Sequence, residues 1–141
     1  GWVATRNRAV LTRMAALKDY TTICNSAPSE FLAELALHHR ETLVKRSLSV
    51  IARNLAILDE FFGRRSDSFV WQRPVAGPIA FPRLINGDID RFCDDLVKAT
   101  GVLLLPGSLY DHPGDHFRIG FGRDDLPEAV DRLEAFLDKQ S

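Results

Sequence analysis

Phe117-Arg118-Ile119-Gly120-Phe121-Gly122 alternates apolar with non-apolar residues at every step. A period of two marks a β-strand, so Phe117, Ile119 and Phe121 turn to one face and Arg118, Gly120 and Gly122 to the other. An arginine flanked by glycines on its own face has open space around its guanidinium. A planar fork of donors in such a space is suited to gripping a carboxylate bidentately. The same residue also reads as a strand arginine paired with a surface Asp or Glu. Both readings stand at this point.

Working upstream, Val102-Leu103-Leu104-Leu105 reads as a short buried strand broken by Pro106-Gly107. Before it, Asp88 caps a helix carrying Ile89, Phe92, Cys93, Leu96 and Val97, which stops at Gly101. Phe69-Val70-Trp71 and the run from Val75 to Leu84 read as strands, and Pro74 and Pro78 place them at edges or bulges. Downstream, Asp125 and Glu128 form a capping box for a last helix with Val130, Leu133, Phe136 and Leu137. Helices beside a small mixed or antiparallel sheet make the class α+β, with two layers.

The first half is helical in pattern. Val10, Leu11, Met14 and Leu17 form one stripe, and Tyr20 to Cys24 is β-favouring, closed by a turn at Asn25-Ser26-Ala27-Pro28. Ser26 or Ser29 can cap the next helix, with Pro28 in its first turn. Val44, Leu48, Ile51, Leu55, Leu58 and Phe62 then alternate four and three apart until Gly63. Unbroken from Pro28 to Phe62, this helix would have about 35 residues and a length of about 50 Å. A domain of this size is roughly 35–40 Å across. Either the helix kinks near His38-His39 or it is built to lie against something larger, and the second reading is preferred.

Composition narrows the function. The 141 residues, 45% hydrophobic, suit a single domain with its own core. With 18 basic and 19 acidic side chains the net charge is -1, which leaves no broad basic surface for nucleic acid or for anionic membranes. No apolar stretch approaches the roughly 20 residues of a membrane span, and Arg6, Arg8 and Arg13 interrupt the place where a signal peptide's core would lie. Cys24 and Cys93 fit no CxxC pattern and are expected to be buried structural thiols of a cytoplasmic protein. Asp111-His112-Pro113-Gly114-Asp115-His116 gathers two aspartates and two histidines. Pro113-Gly114 excludes a helix there, so a loop at the mouth of a site is expected rather than a metal centre. His38 and His39, adjacent on a helix, point apart and make no ligand pair, and no nucleophile-elbow, zincin, Walker or dinucleotide-binding motif is present. Arg64-Arg65 reads as a solvated helix end.

Taken in order, Gly101 to Ser108, then Phe117 to Gly122, then the helix containing Leu133 resemble the C-terminal end of fold-type I, class I/II pyridoxal-phosphate-dependent aminotransferases. That family has a Gly-Val strand and Pro-Gly loop, then a strand with an arginine, a hydrophobic, a small and an aromatic residue, then an amphipathic helix. Ala76-Gly77-Pro78-Ile79-Ala80-Phe81 is similar to the family strand that precedes this unit, and Gly1-Trp2-Val3 to the segment after its lysine motif. The resemblance implies that Arg118 binds the substrate α-carboxylate and that Tyr110 lines the pocket mouth. It places Asn25 on the loop between the large and small domains, facing the partner subunit's active site in a homodimer. It implies that residues 1–27 are a connector from a large pyridoxal-phosphate-binding domain and that residues 28–141 are the small C-terminal domain, with the Pro28–Phe62 helix as interdomain helix. The substrates it implies are amino acids and keto acids.

The family's Schiff-base lysine, its pyridine-nitrogen aspartate and most of its phosphate contacts belong to the large domain. Lys18, Lys45, Lys98 and Lys139 do not occupy the lysine motif's position. The resemblance therefore implies pyridoxal 5'-phosphate in a complete enzyme, no catalytic residue here, and no amino-group transfer by this chain alone. A reading of another class is a free-standing carboxylate-binding or regulatory α+β module without covalent chemistry. A third is a structural partner held through the Leu48, Ile51 and Leu55 stripe.

Overall fold

The computed structural model describes residues 2–139, so Gly1 of the opening Gly1-Trp2-Val3 lies outside the described residues. The described residues form five helices and small antiparallel sheets, an α+β chain as expected. They divide into two compact units, residues 2–43 and 44–139, and each is described by itself.

In the first unit, α1 spans Arg8–Thr21 and α2 spans Ala27–His38. The Asn7 side chain caps α1 by accepting from the Val10 amide at 3.2 Å. The β-favouring Tyr20–Cys24 segment is not a strand. The helix runs on through Thr21 because the Lys18 carbonyl accepts from both Thr22 and Ile23, and Thr21 Oγ1 donates back to Leu17 O. Ser26 stands at the N-cap of α2 with Pro28 in the first turn, but its hydroxyl makes no cap bond. The expected unbroken helix is interrupted. His38 Nδ1 lies 2.9 Å from the Glu34 carbonyl, His39 leaves helical geometry, and α3 starts afresh at Arg40–Arg64. It passes Gly63 by one residue. No described residue of 2–43 is buried.

The second unit holds the core. Along α3, Val50, Leu55, Leu58, Phe61 and Phe62 are buried, whereas Val44 and Leu48 of the same seam stay exposed. Strands β1 (Phe69–Val70) and β3 (Arg83–Leu84) pair antiparallel, and β2 (Ile79–Ala80), β5 (Phe117–Gly120) and β4 (Leu105–Pro106) form a second sheet in the order β2-β5-β4. Helix α4, Ile89–Thr100, begins where the Asp88 carboxylate accepts from the Asp90 and Arg91 amides, and ends at Gly101 with φ +75°, a conformation glycine adopts without steric cost. Helix α5, Leu126–Asp138, buries Leu126, Val130, Leu133 and Phe136. The expected capping box is absent: the Asp125 carboxylate pairs with Arg123 at 2.8 Å instead. The Val102–Leu105 strand shrinks to Leu105–Pro106, with Leu104 buried and Leu103 exposed.

Register across the second sheet decides which residues share a face. Ile79 lies opposite Gly120 and Ala80 opposite Ile119. Further along, Phe117 N donates to Pro82 O at 3.0 Å and Arg83 bridges to His116. The pairing therefore continues without a slip through Phe81-Pro82, which puts Phe81 opposite Arg118. The ladder is thinned there because proline has no N–H to give.

Candidate functional site

The period-two reading of residues 117–121 holds. Phe117, Ile119 and Phe121 are buried in the core, and Arg118 stands on the other face of β5, half-buried. Its cross-strand neighbours are Leu105 on β4 and Phe81 beyond the end of β2. One row along the face stand Ile79 and Gly120; one row the other way stand Arg83 and His116. Arg118 is thus a cation set among apolar side chains, and its guanidinium makes no hydrogen bond or ion pair with any described residue. No described Asp or Glu makes the surface ion pair that is the second of the two readings.

The two glycines differ. A side chain at Gly120 would meet nothing within 4 Å, so the space beside Arg118 is open. A Cβ at Gly122 would meet Pro78 Cβ at 3.0 Å, so this glycine serves close packing and gives the arginine no room. Gly120 borders a cleft of about 480 Å³, but the arginines lining it, Arg123 and Arg132, are already paired with Asp125 and Glu128.

Next to this face lies an aromatic cluster. Phe81 stacks on His116 with ring centres 5.4 Å apart, meets His112 edge-on at 5.0 Å and meets Tyr110 edge-on at 6.3 Å. Gly107 is the turn that allows it, since a Cβ there would come within 3.1 Å of His116 O and 3.4 Å of the Phe81 ring. Burial lowers the pKa of His116 below its ordinary 6.5, helped by the charges of His112 and Arg83 and opposed by Asp115. Its Nδ1 is buried without a hydrogen-bond partner. Among the described residues no group of three or more His, Cys, Asp and Glu is placed to hold a metal ion, and no helix is long and apolar enough to cross a membrane.

Tyr110 closes the 3₁₀ turn Gly107–Tyr110, half-exposed, with Phe81 as its aromatic neighbour. That turn is tied to α4 by a hydrogen bond from the Ser108 hydroxyl to Asp90. Tyr110 and Arg118 therefore both border Phe81. Asn25 belongs to the first unit, where its carbonyl oxygen accepts from Lys18 Nζ and its amide donates to Glu30, each at 2.8 Å. The four lysines are exposed, with Lys18 held by Asn25 and Thr22, and Lys98 paired with Asp94.

Two residues depart from the sequence reading. Cys24, expected in a core, is exposed in a unit that buries nothing, while Cys93 is buried, its thiol pushed up to about 11 by burial and by Asp90 and Asp94. Asn54, which the α3 seam passed over, is fully buried, and its amide donates to Phe121 O at 3.0 Å and Arg123 O at 2.6 Å. It fixes the backbone that leaves the arginine strand. The only sign of it in the sequence is a polar residue one position before Leu55 in the apolar seam.

No family model matches the chain. Capreomycidine synthase of Streptomyces vinaceus is 28% identical over 122 residues, which are 86% of this chain and 31% of that protein. An aspartate aminotransferase of Thermotoga maritima is 25% identical over 138 residues, 93% of this chain and 33% of that one. Among solved structures, a PLP-dependent aminotransferase from Streptococcus suis matches with a TM-score of 0.83 at 28% identity, covering 94% of this chain and 36% of its own. The PLP-dependent cyclase OrfR matches at 0.84 and 29%, covering 94% and 37%. The chain spans about a third of the length of the relatives it matches. In fold and in sequence the chain is similar to the C-terminal portion of fold-type I pyridoxal-phosphate-dependent aminotransferases.

Proposed function

We propose that this chain is the C-terminal part of a pyridoxal-phosphate-dependent enzyme that transfers amino groups between amino acids and keto acids, and that Arg118 binds the substrate α-carboxylate. One observation carries the assignment: a half-buried guanidinium, open on the Gly120 side, without an acidic partner among the described residues. Keeping a cation partly out of water without a counter-ion is costly, so the site is shaped for an anion that arrives. Arg118 holds the carboxylate with two parallel charge-assisted hydrogen bonds, and Phe81 and Leu105 on either side exclude water from them. That grip orients the substrate as well as binding it. Tyr110 lines the mouth of the same site.

The lysines are exposed on helix faces or engaged locally, so the residues of this chain do not fit attachment of pyridoxal phosphate. The chain's share of the work is recognition, and alone it transfers no amino groups. In this reading residues 1–27 are a connector and 28–141 the small domain of a cytoplasmic homodimer, with Asn25 near the partner's site.

Arg118→Ala in the complete enzyme should raise KM for amino acids about tenfold to a hundredfold, the loss expected for a charged hydrogen bond of about 1.5–3 kcal/mol. Arg118→Lys, which keeps the charge and loses the fork, should recover part of it. Unchanged kinetics in both variants sinks the assignment. A carboxylate-binding module without covalent chemistry is favoured by one fact: the Arg118 face lies wholly within residues 44–139, which have their own core. Calorimetric titration of this chain with amino and keto acids, without cofactor, separates the two, because only the module binds them alone.

A further inference from the structure

Residues 44–139 contain ten arginines. Eight of them are paired with a carboxylate. The two left over are Arg118 and Arg83, and neither guanidinium has a hydrogen bond or ion pair among the described residues. Chance would scatter two such residues. Instead the isolated Arg83–His116 bridge, which carries the pairing of the second sheet on into the first, makes them neighbours on one face. Arg83 lies opposite His116, and Phe81, two residues before it, lies opposite Arg118. Arg83 is therefore the diagonal cross-strand neighbour of Arg118, a relation that sets Cα atoms roughly 7–8 Å apart.

Both arginines are half-buried. Arg83 is paired across the ladder with His116, whose ring stacks on Phe81, and its charge helps to lower the His116 pKa. Asp115, beside His116, makes no ion pair with it. Two half-buried arginines on one face both lack an acidic partner among the described residues, and one ligand carrying two negative charges supplies both.

We propose that Arg83 recognises a second, distal carboxylate of the substrate, so that the enzyme prefers dicarboxylic amino acids and their keto acids. This rests on the reading of Arg118 as the α-carboxylate residue. Phe81 and Leu105 flank Arg118 and touch the carbon chain between the two carboxylates, while Arg83 takes the far end from the His116 side.

The test uses the complete enzyme with Arg83→Leu, Arg83→Lys and Arg118→Ala, comparing kcat/KM for aspartate and glutamate with that for alanine and leucine. Arg83→Leu should lower the ratio of acidic to neutral donors tenfold or more, mainly through KM, because a site built for a charged group is left with nothing to pair it. Arg83→Lys should lower it less. Inhibition by succinate or glutarate should weaken more in Arg83→Leu than inhibition by propionate. A ratio unmoved within twofold overturns the proposal, as it would if an acidic side chain from the rest of the polypeptide neutralised Arg83. Arg118→Ala separates the two claims: a loss on every donor there, with an unmoved ratio for Arg83→Leu, removes only the second carboxylate, whereas unchanged kinetics for Arg118→Ala removes the α-carboxylate reading itself. Thermal unfolding checks each variant, and Arg83→Gln gives the same ratio should Arg83→Leu fail to fold.

Discussion

Residues 2–43 and residues 44–139 both carry apolar side chains at helical spacing, yet they use them differently. In the first unit Trp2, Leu17, Phe31 and Leu35 are all exposed, and neither α1 nor α2 buries a residue. In the second, Leu58, Phe61, Phe117 and Phe121 are completely buried in one cluster. An apolar stripe states that a face needs cover and says nothing about what covers it. Within 44–139 the stripe of α3, the stripes of α4 and α5 and the inner face of β5 cover each other. Within 2–43 no such set of faces meets. The second unit can therefore hold Arg118 in a fixed setting, since the strand carrying it has a packed inner face.

The largest expected effect breaks this contrast most directly. Phe61→Ala should destabilise the protein by about 3–5 kcal/mol, while Leu35→Ala should change stability by less than about 0.5 kcal/mol, both read from denaturant unfolding of this chain. Equal effects would mean that the apolar residues of the first unit are covered after all.

A smaller effect tests how the arginine strand is fixed. Asn54→Leu takes from the Phe121 and Arg123 carbonyls the donor that Asn54 supplies and should cost about 1–3 kcal/mol. Asn54→Asp should cost more, because a carboxylate would face those two carbonyl oxygens. If either variant is as stable as the parent, Asn54 does not hold the strand end.

The smallest effect is a pH dependence. His116 has a folded-state pKa below 6.5 because burial, His112 and Arg83 disfavour its charged form. The unfolded chain thus binds a proton more readily than the folded one. The contribution of neutral His116 is intact above pH 6.5 and is lost as pH falls from there through the folded-state pKa. Denaturation midpoints measured between pH 7.5 and 5 should fall towards acid, and His116→Phe, which keeps a ring against Phe81, should flatten that slope. A slope unaltered by His116→Phe assigns it to other groups.

Much of the second unit was legible because its signals are local. Asp88 and Gly101 bound α4 by capping and by left-handed geometry, and alternation at 117–121 fixed which side chains face the core. Local signals misled where a competing bond decided. Asp125 took Arg123 in place of the helix amides, and α1 ran on through Thr21 on bonds to Lys18 and Leu17 that β-propensity does not count. Cys24 was misplaced because a cysteine's burial depends on what surrounds its segment.

By itself, the sequence determined the α+β class and the strand that presents Arg118. Only the tertiary structure decided that Arg118 has no acidic partner among the described residues, that Phe81 and Arg83 stand across the ladder on its face, and that Asn54 holds the strand's end. The division has a physical cause. Caps and alternation are written within a few residues, whereas the Arg83–His116 bridge and the Asn54–Phe121 hydrogen bond join residues 33 and 67 positions apart and exist only once the chain has folded.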